Sequence, residues 1–305
     1  MAVPAATTPE SGTVGFHEGE LRAQRRAGVT LEARRLERML DLPDLSGGAE
    51  RFLADRTFAV LTGHGADGRL WTTALRGPAG FLRASGRTLR IESAPTSGDP
   101  LEGIAIGEQV GLVAIEFSAR RRVRVNGRLA AVGPGWMKVD VEQAYGNCPQ
   151  YISRRDLVPV EPEAREVDGG ARRGELDDDD RSLIRAADTF FLGTAHPTRG
   201  ADASHRGGPA GFVTTDGADL RWPDLPGNNM FNSLGNLEVD PSASLLFIDW
   251  TDGTVLALSG TASVEWPDVT ATDGETGRRV RFTPAVVVRR RDPALRAVST
   301  GELRS

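Results

Sequence analysis

Hydrophobic residues in this chain gather in short runs of alternating or β-branched character, separated by glycine, proline, asparagine and aspartate. That spacing predicts strands rather than long helices. In the first half, residues 56–63 read as an apolar strand, Asp67-Gly68 as a hairpin turn, 70–75 and 80–83 as extended, and Gly86 as a turn into 88–92. A short helix-like interruption at 99–107 precedes two long strands, 110–116 and 121–132. The second half predicts extended runs at 189–194, 202–213 and 219–223, a helix over 229–239, then strands at 244–250 and 254–266. Ahead of both, 18–40 is helical in pattern and broken near Gly28. The fold class is therefore mainly β with peripheral helices, and an antiparallel sheet with one helix across an end closes most economically as a small barrel.

The two halves repeat each other. Gly77-Pro78-Ala79-Gly80-Phe81 returns as Gly208-Pro209-Ala210-Gly211-Phe212, and at the same offset Leu89-Arg90 matches Leu220-Arg221 and Pro95 matches Pro226. After a slip of two residues, 111–116 aligns with 244–249 and 126–130 with 259–263. So long a period suits a duplicated domain, not a solenoid. The expected organisation is a helical segment at 1–45, a first barrel with a degenerate site at 46–158, a linker at 159–181 and a second barrel at 182–305. Proline, glycine and acid dominate the linker, which is expected to be solvated, with Asp177 to Asp180 capping a helix rather than binding a divalent ion. Beyond an extended Val286-Val287-Val288 and a basic Arg289-Arg290-Arg291, residues 283–305 give no clear pattern.

Composition narrows the chemistry. A net charge of -5 over 305 residues argues against bulk-charge binding to nucleic acid or anionic membrane. Cys148 is the only cysteine, so no disulfide framework or zinc-type cluster is expected, and the absence of an apolar start or spanning run makes the cytoplasm the expected location. Lys138 is the only lysine, which excludes a Walker-type loop and leaves phosphate to arginine, hydroxyls or backbone amides.

The second half carries the more suggestive polar groups. Ser204, His205, Arg206 and Gly207 stand before the repeated Gly-Pro-Ala-Gly-Phe, with Ser204 and Arg206 on one face of a strand and His205 on the other. Asn228, Asn229, Asn232 and Ser233 surround a predicted helix start, where amides and the helix dipole favour an anion. The first half has Thr73-Ala74-Leu75-Arg76 and Ser97-Gly98-Asp99-Pro100-Leu101 at these places. Residues 145–152, with both tyrosines and Cys148, read as a segment covering the other half's site rather than as a nucleophile. His17, Gln24, Arg25 and Arg26 belong to a helix expected to be solvated.

Together, Ser204 to Val213, Trp222-Pro223-Asp224, Gly227-Asn228, Ser233 to Leu237, Pro241 and Leu245-Leu246-Phe247 resemble the pyridoxamine 5'-phosphate oxidase-like FMN-binding split-barrel family, in its flavin-nucleotide-binding branch. The resemblance spans most of residues 16–265. It implies six-stranded Greek-key barrels with FMN between two of them, here two tandem split barrels forming an intrachain pseudo-dimer that a homodimer would extend. It places Ser204, His205, Arg206 and Gly207 along the flavin, with His205 tuning or protonating near its ring, and Asn228, Asn229, Asn232 and Ser233 around its phosphate. The implied activity is an FMN-dependent oxidoreductase acting on a small organic substrate. The alternatives are a noncatalytic flavin carrier and a haem protein using His205 or another histidine as ligand. Vitamin-B6 oxidases carry basic residues where this chain has Asn232 and Ser233, a departure at the cofactor phosphate, and with no second basic cluster suited to a substrate phosphate, pyridoxamine phosphate is not the expected substrate.

Overall fold

The computed structural model describes residues 15–41, 43–146, 149–158, 170–267 and 276–299. Cys148, and with it any expectation about its thiol, lies outside the described residues.

An N-terminal arm comes first: α1 (Glu18–Arg26), α2 (Thr30–Arg34) and a single 3-10 turn (Glu37–Leu40), with Gly28 at φ +71° making the predicted break. After α3 (Gly48–Ala54) the first sheet contains β1 (Phe58–His64), β2 (Leu70–Arg76), β3 (Leu82–Ser85), β4 (Thr88–Ile91), β5 (Gln109–Glu116), β6 (Arg121–Gly133) and β7 (Trp136–Gly146). Two short strands, β8 (Arg155–Leu157) and β9 (Arg172–Arg173), lead to α4 (Asp178–Ala186). The second sheet contains β10 (Thr189–His196), β11 (Gly200–Gly207), β12 (Thr214–Asp216), β13 (Asp219–Pro223), β14 (Ser242–Ile248), β15 (Thr254–Glu265) and β16 (Arg279–Arg291), with α5 (Asn232–Leu237) between β13 and β14 and β17 (Ala297–Ser299) at the end.

The two sheets share one strand order. The first sheet runs β2-β1-β5-β6-β7-β4-β3 and the second β11-β10-β14-β15-β16-β13-β12, the same path strand for strand, all antiparallel and open at both ends. The registers agree as well. Leu61 lies opposite Thr73 and Leu112, just as Leu192 lies opposite Ser204 and Leu245. Leu89 lies opposite Val139, just as Leu220 lies opposite Phe282. The chain is thus mainly β with two barrel-like halves, as its pattern predicts.

Each half carries seven strands on this path, where six were expected, because β7 and β16 escape the sequence pattern. The stretch given no clear pattern after 283 belongs largely to β16, which pairs along its length with β15. The helix expected at 229–239 is shorter, and turns replace a helix at 99–107. The end of the linker is largely solvated as expected, with Leu176 and Asp180 as its buried exceptions. Asp177 caps α4 in a reciprocal box with Asp180, Asp180 is buried, and Arg173 and Arg289 neutralise both carboxylates.

The halves share a core. Phe191, Ala203, Leu246, Val255 and Val288 pack in one cluster with Phe58, Leu61, Trp71 and Phe117. Gly111 allows this closeness: a Cβ there would sit 2.5 Å from Asp202 Cα. The seam also holds a hydroxyl pair, Thr72 Oγ1 to Ser244 Oγ at 2.6 Å, worth about 1 kcal/mol net.

Candidate functional site

A cleft of about 910 Å³, counting the solvent it opens to, lies between the halves and is lined by all eight residues singled out from the sequence: Ser204, His205, Arg206, Gly207, Asn228, Asn229, Asn232 and Ser233. Strand β11 supplies the first four and the loop into α5 the rest. The first half closes the other side with Arg122 and Arg124 from β6, Tyr145 from β7, and Gln150 and Tyr151, so the segment expected to cover the site does reach it. Gly207 is required by this cover, because a Cβ would fall 1.9 Å from the Tyr151 carbonyl oxygen.

Several of these groups already have protein partners, which narrows their roles. Arg206 donates from Nη1 to Asp224 Oδ1 at 3.1 Å, and Arg278 donates from Nε to Asp224 Oδ2 at 2.9 Å. An anion at Arg206 therefore shares two guanidinium groups with one carboxylate. Asp202, two residues before Ser204 on the same face of β11, is buried and accepts from Arg124 at 3.1 and 3.2 Å, from Asn126 Nδ2 at 3.3 Å and from Ser233 Oγ at 3.1 Å. Arg124 also donates to Ser204 Oγ, and Tyr145 stands beside it, its hydroxyl pushed well above the usual range by burial.

His205 points to the opposite face of β11, with the rings of Phe117 and Phe191 edge-on to it. Its Nδ1 accepts from Arg122 Nη1 at 2.7 Å. A guanidinium only donates, so the imidazole proton sits on Nε2. Burial, and then the charges of Arg122, Arg155, Arg206 and Arg124, hold its pKa well below the ordinary value. His205 is therefore a neutral imidazole offering an Nε2–H. The same bond makes it unsuited to ligate haem iron, because a ligating Nε2 needs the proton on Nδ1.

The loop into α5 departs from the expected asparagine cap. Asn228 Oδ1 accepts from the Met230 amide at 3.2 Å, an Asx-type turn. The cap position is taken by Phe231, left-handed at φ 63°, close behind Asn229 at φ 60°. Asn229 adopts this region readily, whereas Phe231 there stores on the order of 1–3 kcal/mol. This loop is braced by the N-terminal arm, which is not a solvated helix. Gly19, Glu20, Ala23 and Gln24 are buried, and Gln24 Nε2 donates to the Met230 carbonyl at 3.1 Å.

One further cluster has ligand-type atoms. His17, Glu18 and His196 bring theirs within 4.8 Å of one another. Their hydrogen bonds do not suit a metal ion: His17 Nδ1 accepts from the Gly19 amide and His196 Nδ1 from those of Thr198 and Arg199, which puts each proton on the Nε2 that would have to coordinate.

Arg122, Arg124 and Asp202 were missed in the sequence. The alternation Arg122-Val123-Arg124 marks one face of a strand, but nothing local says that this face serves the other half.

Residues 176–297 match the family model of pyridoxamine 5'-phosphate oxidase. No curated protein matches the chain. Solved structures with a similar fold include a protein from Clostridium acetobutylicum related to general stress protein 26 (14% identity, 41% of this chain and 94% of that one, TM-score 0.28). Others are the heme storage protein HutZ from Vibrio cholerae (14%, 38% and 95%, TM-score 0.29) and an FAD-binding protein from Mesorhizobium loti (13%, 39% and 97%, TM-score 0.28). The match to the pyridoxamine 5'-phosphate oxidase family model thus spans the whole second sheet from β10 to β16, together with the cleft residues of β11 and α5.

Proposed function

We propose that the cleft binds one FMN per chain and that the protein is a flavin-dependent oxidoreductase acting on a small organic substrate. The observation that carries this reading is a surplus of donors. Arg124 Nε, Arg206 Nε, Trp222 Nε1 and His205 Nε2 are buried polar atoms of cleft residues without a hydrogen-bond partner, against one such acceptor, Asn232 Oδ1. Burial without a partner costs about 1–3 kcal/mol per group, so an acceptor-rich ligand recovers that energy on binding. Charge points the same way: the guanidinium groups of Arg124, Arg206 and Arg278 pair with the carboxylates of Asp202 and Asp224, three positive charges to two, which favours an anionic group such as a phosphate at the Arg206–Arg278 side.

Arg206 and Arg278 would hold the phosphate, and the Nε2–H of His205 and the Trp222 indole would donate to ring or ribityl acceptors. Bound flavin supplies hydride or single-electron transfer, while these residues orient it and keep water from its buried side.

One ligand per chain follows from the counterpart seam. By register, Ser204 corresponds to Thr73, Asp202 to Trp71, Arg122 to Val255 and Arg124 to Ala257. There Arg290 pairs with Asp99 at 2.5 Å and donates to Thr73 Oγ1 at 2.9 Å, both charges fully buried. A buried ion pair thus occupies the place where the other seam has its cleft residues. The absorption spectrum of purified protein and its titration with FMN test this: flavin bands and saturation at one FMN per chain are expected. A Soret band, or saturation at two, overturns it. Reduction by NADH or NADPH in stopped flow then separates an enzyme from a carrier.

A further inference from the structure

We propose that Glu20 is a positioning residue for the cleft: by holding the side-chain amide of Asn232, it decides whether that amide offers a ligand an acceptor or a donor. The inference rests on reading the cleft as the ligand site, and its evidence lies outside it, on the N-terminal arm. Helix α1 packs on α5 with no room for a side chain at Gly19 or Gly235. A Cβ on Gly19 would fall 2.0 Å from the Gly235 carbonyl oxygen, and one on Gly235 would fall 2.6 Å from the Glu20 amide nitrogen. This contact fixes where the Glu20 carboxyl ends up. The residue is 1% exposed; Oε2 accepts from the His17 amide at 2.9 Å, and Oε1 accepts from Asn232 Nδ2 at 3.3 Å. The other end of that amide, Asn232 Oδ1, is buried without a partner on a residue that lines the cleft.

The two ends of an asparagine amide are chemically opposite. An ionised Glu20 only accepts, so it draws Nδ2 toward itself and leaves Oδ1 for a ligand N–H or O–H. A protonated Glu20 donates, which favours the amide turned about, with Nδ2 left for a ligand carbonyl or phosphate oxygen. Both forms of Glu20 are accessible near neutrality. Burial raises its pKa to about 7, the nearby charge of Asp202 acts in the same direction, and the His17 amide, Asn232 and the charge of Arg199 oppose them. The His17 ring, 3.6 Å away at Nε2, is itself held neutral by burial, with a pKa near 4, and the buried Tyr145 hydroxyl stays protonated. Glu20 is thus the group facing Asn232 whose charge changes around pH 7, and the ligand atom selected at Asn232 changes with it.

The test uses the full chain without ligand. The side-chain amide resonance of Asn232, assigned by its loss in Asn232→Asp, is followed by 1H–15N NMR from pH 5.5 to 8.5. A titration centred near pH 7 in the wild type and absent in Glu20→Gln is expected; a resonance that does not move, or moves equally in both, overturns the proposal. FMN affinity measured over the same range is expected to change at least threefold in the wild type, to flatten in Glu20→Gln and Asn232→Ala, and to keep its slope in Glu20→Asp. The same slope in all four proteins overturns it too. If Asn232 titrates as expected and FMN does not bind, the flavin reading fails and the Glu20–Asn232 coupling stands.

Discussion

Replacing Arg124 by leucine tests whether the halves are joined by charge as well as by apolar packing. Arg124, on β6 of the first half, is buried against Asp202 on β11 of the second, with two contacts of 3.1 and 3.2 Å. The leucine variant keeps much of the apolar volume but leaves Asp202 as a buried carboxylate with only the Asn126 and Ser233 donors. Breaking a buried pair from one side costs about 3–5 kcal/mol. Native stabilities are about 5–15 kcal/mol, so this is a large fraction of the whole. Removing the orphaned charge as well, in Arg124→Leu with Asp202→Asn, should recover more than half of the loss, because most of the cost is the uncompensated carboxylate and not the missing attraction. Urea unfolding at pH 7, followed by tryptophan fluorescence and far-ultraviolet dichroism, gives the four corners of the cycle. A loss below about 1 kcal/mol in Arg124→Leu, or strict additivity in the double variant, would refute the reasoning.

Other substitutions test the cleft itself. Arg206→Ala is expected to weaken FMN retention by about tenfold or more through loss of a charge-assisted contact, while Arg76→Ala, at the position in the first half that matches Gly207, leaves it unchanged; fluorescence titration of both compares the two seams. Gly207→Ala has no room against the Tyr151 carbonyl, and should loosen the covering segment, seen as faster hydrogen exchange around residues 149–152 and a lower Tm. Stability should respond to pH through the arm. Folding lowers the His17 pKa from 6.5 to about 4, which makes the fold lose up to roughly 3 kcal/mol as pH falls through that window. Glu20, raised from 4.5 to about 7, prefers its acid form in the fold and so loses stability as pH rises through its own window, an opposite slope over nearly the same range. Urea midpoints of the wild type should therefore be nearly flat from pH 5 to 7, whereas Glu20→Gln should fall on acidification. A flat profile in the variant would contradict the sign.

The repeated Gly-Pro-Ala-Gly-Phe and its offsets made the likeness of the two sheets legible, and the registers preserve those offsets. The last strand of each half was not legible. Leu129 and Val139 face each other at the place of Ala262 and Phe282, so the offset grows from 133 on β6 to 143 on β7, and the collinear match breaks before β16. Of the cleft lining, Ser204 to Gly207 and the asparagine loop stood out in the sequence because they crowd polar groups beside glycines. The pairing of Arg206 with Asp224 was not, since eighteen residues and a strand turn separate them. Burial of α1 was hidden by its polar composition. What seats it is Gly19 against Gly235, a contact between two residues with no side chains to advertise it.

Fusion of the two halves has a consequence for how this molecule could change. In a symmetric homodimer each substitution occurs at both seams, so a buried Arg290–Asp99 pair could not close one of them without its copy altering the other. Within a single chain the two seams vary independently: one can be spent on cohesion while its sister stays open. The open seam needs guanidinium groups lent by the first half, so a separately expressed second half would carry the recognisable residues of the cleft and lack its opposite wall.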